Sequence, residues 1–159
     1  MNENNLEKII NNIVGDAIVK EVMSLKLAVK LIETVEEKAA EMGLAVVVAV
    51  SDASGRPIAV HCMDGAYHGS FAVAVNKTYT STAFQMSTAK LSRLCQPGQD
   101  LYGLQFSNNG KVMILGGGEP LMVGKTMIGA LGVSGGSAQE DSDLAAYGAS
   151  ALKEVIKCL

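Results

Sequence analysis

LAVVVAVSDASGRPIAVHCMDGA, residues 44–66, places two apolar runs on either side of one turn. The run from Leu44 to Val50 is almost entirely Val and Ala, the signature of a strand buried on both faces. Asp52-Ala53-Ser54-Gly55 then supplies turn chemistry, with Gly55 able to adopt positive φ. Pro57 opens the second run. It cannot donate to a ladder, so this strand begins at an edge or at the turn itself. Alternation sends Ile58, Val60 and Cys62 to one face and Ala59, His61 and Met63 to the other. So short a connection leaves no room for a crossover, and the two strands must be antiparallel neighbours.

The rest of the chain arranges itself around this hairpin. Val22 to Met42 reads as a helix, with Val22, Leu25, Ala28, Val29, Ile32, Val35, Ala39 and Met42 on one stripe and Gly43 closing it. After the loop MDGAYHGS (63–70) a second helix is expected near Ser70 to Met86, with Ser70 as its N-cap. The segment from Ser87 to Gly110 contains Pro97-Gly98 and reads as a long connection with a helical turn around Leu101 to Phe106. KVMIL (111–115), PLMV (120–123) and TMIGALGVS (126–134) read as three strands, the last two joined through Gly124-Lys125. Leu144, Gly148, Ala151, Leu152, Val155, Ile156 and Leu159 mark a closing helix. The expected order is α-β-β-α-β-β-β-α. This is an α+β fold with a five-stranded antiparallel sheet flanked by helices, profilin-like or PAS-like. Residues 21–159 form one domain, and residues 1–20 precede it as an amphipathic extension. In that extension Leu6, Ile9, Ile10, Ile13, Val14, Ala17 and Ile18 recur at helical spacing. Such a face docks either on its own domain, on a neighbouring subunit, or in a groove of another protein.

Composition narrows the function classes. The chain has 159 residues, 48% hydrophobic and 18% charged, with a formal charge of −3. That excludes a disordered chain. Thirteen scattered basic residues leave no nucleic-acid footprint. The longest apolar run falls far short of the roughly 20 residues a spanning helix needs, so no membrane partner is expected. Three cysteines without CxxC spacing argue against a disulfide framework or structural zinc site. Nothing at the N-terminus has the form of a secretory signal, and a cytoplasmic protein is expected.

The glycine-rich loop GVSGGSAQED (132–141) invites comparison with a phosphate cradle, but it lacks the lysine of a Walker loop. Ser137 and Glu140 stand instead in the relation of a capping box. Asp141 and Asp143 carry negative charge through the first helical turn, which would repel a phosphate. GGGEP (116–120) reads as a bend or bulge between strands. His61 and His68 are the only histidines; each could give one axial bond to an iron, or simply be a hydrogen-bonded or exposed residue. Lys77 lies mid-helix among small residues, where partial burial and an ion pair or a ligand carboxylate are both conceivable. Asp52, Asp64 and Glu119 fall at strand ends.

Taken in order, SDASGRPIAVHCMDGA (51–66), AVNKTYTSTAF (74–84), GGGEPLMVGKTMIGALGVSGGSAQED (116–141) and LAAYGASAL (144–152) resemble the GlcG/HbpS family, which includes the C-terminal domain of PduO-type cobalamin adenosyltransferases. The resemblance runs over residues 21–159. It implies a five-stranded sheet and homo-oligomers from dimer to octamer. Several relatives bind haem or are linked to haem degradation or corrinoid metabolism. Carried over by motif position, it marks Asp64, Gly65, Lys77, Gly117, Gly118, Gly135 and Gly136 as ligand-binding candidates. It leaves His61 and His68 as candidate axial haem ligands. Cys62 stands where relatives often carry a basic residue, which removes one candidate propionate partner. The adenosyltransferase's ATP-binding motif is absent from this sequence, so that activity is not implied. PduO relatives work with bacterial microcompartments, which implies shell association through the N-terminal extension and a place in the compartment lumen.

The sequence reading is thus a homo-oligomeric binding or accessory protein rather than a catalyst, taking haem or cobalamin and linked to cobalamin and diol metabolism. The alternatives are an enzyme acting on a small hydroxyacid or polar metabolite, with Lys77 and Asp64 near its carboxylate, and a microcompartment accessory protein without ligand chemistry.

Overall fold

The computed structural model describes residues 22–159. The amphipathic extension therefore lies outside the described residues. The first helix, α1 (Leu25–Glu41), starts where the Ser24 side chain accepts from the Leu27 N–H at 3.1 Å. It ends at Met42, beyond which Gly43 takes φ +71°. Its buried face is Leu27, Ala28, Leu31, Ile32, Val35 and Ala39. Val22, Leu25 and Met42, expected on the same stripe, are exposed.

Strands β1 (Val47–Asp52) and β2 (Pro57–Cys62) form the expected hairpin, with a register shift between Val50 and Ser51. Asp52 organises the turn: its Oδ1 accepts from the N–H groups of Ser54 (2.9 Å) and Arg56 (3.1 Å), and Gly55 takes φ +81°. Helix α2 (Ser70–Phe84) follows, then a short α3 (Thr88–Leu94) capped by Ser87. Single 3-10 turns occupy Leu104–Phe106 and Asn108–Gly110. Strands β3 (Gly118–Val123) and β4 (Thr126–Ser134) make the second hairpin across Gly124-Lys125, and α4 (Ala138–Lys157) closes the domain.

The sheet has four strands, in the order β2-β1-β4-β3, all antiparallel. The expected fifth strand, 111–115, does not form. The Met113 N–H donates to the Thr80 Oγ1 of α2 at 2.8 Å, so a helix side chain takes the role a neighbouring strand would have played. Val112 and Ile114 instead join Leu91 and Cys95 in a small satellite core. GGGEP is likewise not a bend between strands, because Gly118, Glu119 and Pro120 already belong to β3. Pro120 is tolerated there because β3 is an edge strand. Ser70 is not the N-cap of α2. Gly69 holds that position without a side-chain cap, and the Ser70 hydroxyl lies 3.2 Å from that of Ser134.

Helices α1 and α4 pack on one sheet face, where Val46, Val48, Val50, Leu131 and Val133 meet Leu31, Val35, Leu144 and Leu152. The other face, Val47 and Ala49, packs on Ala74 of α2. Gly148 shows how closely α4 lies: a Cβ there would collide with Leu131 Cδ2 and stand 2.7 Å from Val35 Cγ2. No helix among the described residues is long and apolar enough to cross a membrane.

Candidate functional site

Helix α2 carries Ala, Ser and Thr at most of its inward positions, so it sits close to the sheet. Lys77 is the exception in size and charge, and its side chain is only 1% exposed. Its Nζ donates to Asp141 Oδ2 at 2.8 Å and to the Val133 carbonyl at 2.6 Å. Asp141, 5% exposed, also accepts the Gly136 N–H on Oδ1 at 2.9 Å. The ion pair thus ties α2, the end of β4 and the first turn of α4 together. Burial pushes the Lys77 ammonium below its ordinary value, opposed by the hydrogen bond and charge of Asp141.

The glycines are fitted around this pair. Gly117 takes φ +111°, and a Cβ there would stand 2.6 Å from the Val133 carbonyl, 2.7 Å from Asp141 Cβ and 2.8 Å from Lys77 Nζ. Its own carbonyl accepts the Val133 N–H at 2.8 Å. The Gly118 N–H donates to Thr88 Oγ1 at 2.9 Å, which fixes α3 to the same loop. Gly135 abuts the backbone of Ala45 and Val46, and Gly65 (φ +87°) approaches Ala45 from the neighbouring loop. Five motif positions, Lys77, Gly117, Gly118, Gly135 and Gly136, therefore lie in or beside one buried junction. The Lys77 ammonium faces protein oxygens there, not solvent.

Asp64, Gly65 and His68 lie in the exposed loop from β2 to α2. Two tight turns shape it, with Ala66 N–H donating to the Met63 carbonyl (3.0 Å) and Ser70 N–H to the Tyr67 carbonyl (2.9 Å). The His68 imidazole is exposed and makes no side-chain hydrogen bond among the described residues. Tyr67 and Phe71 beside it in sequence are 74% and 51% exposed. His61 is placed quite differently. It projects from β2 toward α1, half-buried, with Nδ1 3.3 Å from Glu36 Oε2. The two histidines do not converge. Glu119, expected in a loop, is half-buried within β3, and burial raises its carboxyl above the ordinary value.

Asp141, expected only as a helix-dipole acid, is thus the buried partner of Lys77. Its spacing carried the signal: Asp141 shares a helical face with Leu144, Ala145 and Gly148, so it had to point inward. Glu140, one residue earlier, completes the capping box with Ser137, its Oε2 accepting the Ser137 N–H at 2.7 Å. Two adjacent acids thus do unrelated work.

Clefts among the described residues lie elsewhere on the surface. A groove of about 630 Å³ runs along the start of α1 beside Cys158 and Leu159. A smaller one, about 210 Å³, lies between α3 and the start of α4 beside Gly116. Neither is lined by a histidine. Among the described residues no group of three or more His, Cys, Asp or Glu side chains could hold a metal ion.

Comparison with known proteins places this geometry. The chain is 38% identical over 123 residues to a 15.0 kDa protein of the dhaT–dhaS intergenic region of Citrobacter freundii, covering 77% of this chain and 87% of that one. It is 39% identical over 109 residues to the corrinoid adenosyltransferase PduO of Salmonella typhimurium, covering 69% of this chain but spanning only 32% of PduO. The solved structure of a PduOC:haem complex superposes with a TM-score of 0.78 at 35% identity, over 82% of this chain and 94% of that one. Residues 23–150 match the family described as haem degrading protein HbpS-like. With most of the chain matched in sequence and in fold, the protein belongs to the HbpS-like family.

Proposed function

We propose that this protein binds a tetrapyrrole, haem in the first instance, as a homo-oligomeric binding protein rather than a catalyst. The observation that carries the reading is the likeness, over 82% of its length, to a PduOC domain solved with haem. The residues present suit such a ligand at one place. His68 offers an exposed imidazole, and Tyr67 and Phe71 offer apolar surface for a macrocycle. His61 is the poorer candidate because its ring is half-buried against α1, beside Glu36. Lys77 is not the carboxylate partner, since its ammonium is held by Asp141. Bound haem supplies an iron that one imidazole can ligate; this chain's part is to present His68 and to cover the ring.

Relationship to PduO supports a setting in corrinoid and diol metabolism, with cobalamin as the competing ligand. Titration with hemin and, separately, with cobalamins under visible spectroscopy tests the reading. A saturable Soret shift with hemin is expected, lost in His68→Ala and kept in His61→Ala. A chain that gives no saturable shift with either tetrapyrrole refutes it. Sedimentation of the same samples reads the assembly state, and a monomer at every concentration refutes the oligomer.

A further inference from the structure

Helix α2 is patterned the wrong way round for an isolated domain. Its sheet-facing side is Ser70, Ala74, Lys77, Thr78 and Ser81, small or polar, and all buried. On the opposite side lie Ala72, Val75, Asn76, Tyr79 and Ala83, a stripe about 100° wide. Ala72 and Ala83 are exposed, and the other three are partly so. An outward helix face ordinarily carries charge. This one has none, because Lys77, the single charged residue of α2, points inward.

The stripe also reads the same from either end. Ala72, Asn76, Tyr79 and Ala83 stand four, three and four residues apart, small at both ends and larger between. A contact across a two-fold axis needs such a pattern, since each position meets its counterpart on an identical surface. The flanking charges set the direction. Asp64 is exposed in the loop before α2 begins, and Lys111 is exposed beside its later half, with Nζ 5.9 Å from the centre of the Tyr79 ring. Antiparallel α2 helices bring the Asp64 of each copy toward the Lys111 of the other, whereas parallel helices set like charges side by side. Opposite helix-dipole ends meet in the same arrangement. We propose that α2 packs antiparallel on α2 of a second copy of this chain, across a two-fold axis, through this stripe. The inference rests on the homo-oligomer reading above and names its surface. It is separate from tetrapyrrole binding, since neither histidine belongs to the stripe.

The test uses the full chain in a Cys62→Ser/Cys158→Ser background, which keeps only the buried Cys95. The axis sets Ala72 of one copy opposite Ala83 of the other, while on one helix the two lie about 16 Å apart, too far for a bridge within a chain. Under mild oxidation Ala72→Cys/Ala83→Cys should therefore form covalent dimers at least about tenfold faster than either single variant. Equal rates, or Ala72→Cys alone linking as fast as the double variant, overturn the proposal. A second measurement does not depend on a bridge. Ala72→Glu adds a carboxylate to the exposed first turn of α2, where a single copy tolerates it. It should at least halve the sedimenting mass, with an unchanged circular dichroism spectrum, by burying an unpaired charge in the contact. Asp64→Lys should act in the same direction, and adding Lys111→Asp should restore assembly. An unchanged mass in Ala72→Glu overturns this interface and leaves the oligomer reading standing; a monomeric wild type overturns both.

Discussion

Lys77→Met tests whether the buried ion pair holds the glycine loops together. The substitution keeps the length and volume of the side chain while removing the ammonium. Asp141 is then left 5% exposed with, among the described residues, only the Gly136 N–H as side-chain donor, and the Val133 carbonyl loses its 2.6 Å contact. Removing one partner of a buried pair costs about 3–5 kcal/mol, because the remaining charge is stranded away from water. For a domain of this size, with a urea m-value of about 2 kcal/mol/M, that loss lowers the unfolding midpoint by about 2 M. Replacing both partners, Lys77→Met with Asp141→Leu, removes the stranded charge and should recover most of the loss, since apolar replacement of a buried pair is often neutral. Equilibrium urea unfolding of the wild type, both single variants and the double variant gives the complete cycle. The reasoning fails if Lys77→Met shifts the midpoint by less than about 0.5 M at unchanged m. It fails equally if the double variant loses the sum of the two single losses.

Three further outcomes are expected. Ser137→Ala removes one half of the capping box of α4 and should cost about 1 kcal/mol, read as a lowered midpoint in the same urea assay. Thr80→Val deletes the acceptor for the half-buried Met113 N–H and should cost about 1–3 kcal/mol, with proton exchange of that amide rising in NMR; an unchanged amide would return 111–115 to the status of a free run. Burial raises the Glu119 carboxyl, so the folded state holds its proton above the pH at which the unfolded chain releases it. Its charge therefore costs stability once the pH rises through the folded value, and nothing below the unfolded one. Glu119→Gln should accordingly raise the urea midpoint at pH 7 and leave it unchanged at pH 3.5.

Much of the fold was written in local patterns. The β1–β2 turn could be read from Asp52 and Gly55, the β3–β4 turn from Gly124-Lys125, and the capped start of α4 from Ser137 and Glu140. These features are decided by neighbours within four residues, which is why sequence reasoning reaches them. The missing fifth strand was decided at a distance. Nothing within residues 111–115 discloses that a threonine some thirty positions earlier would take the Met113 N–H. Helix α3 escaped for a related reason: its seven residues carry too short a pattern, and Thr88 earns its place through Gly118. The site divides the same way. Lys77 stood out as a charge among small residues, whereas its partner was masked by a neighbouring acid with an obvious capping role. The separation of His61 from His68 follows from strand alternation, which sends His61 toward α1.

The strand order carries a consequence for how the chain comes to be folded. β1, the most apolar strand, lies at the centre of the sheet, and its inner neighbour is β4, with Val47 opposite Ser134 and Asp52 opposite Gly129. About 80 residues of chain must be made and gathered in before that pairing closes, a non-local topology of the kind that folds slowly. Until then the nascent β1–β2 hairpin presents one bare edge of valines to the ribosomal surroundings, open to the wrong partner. Synthesis of the last third of the chain is thus the event that makes the first third safe.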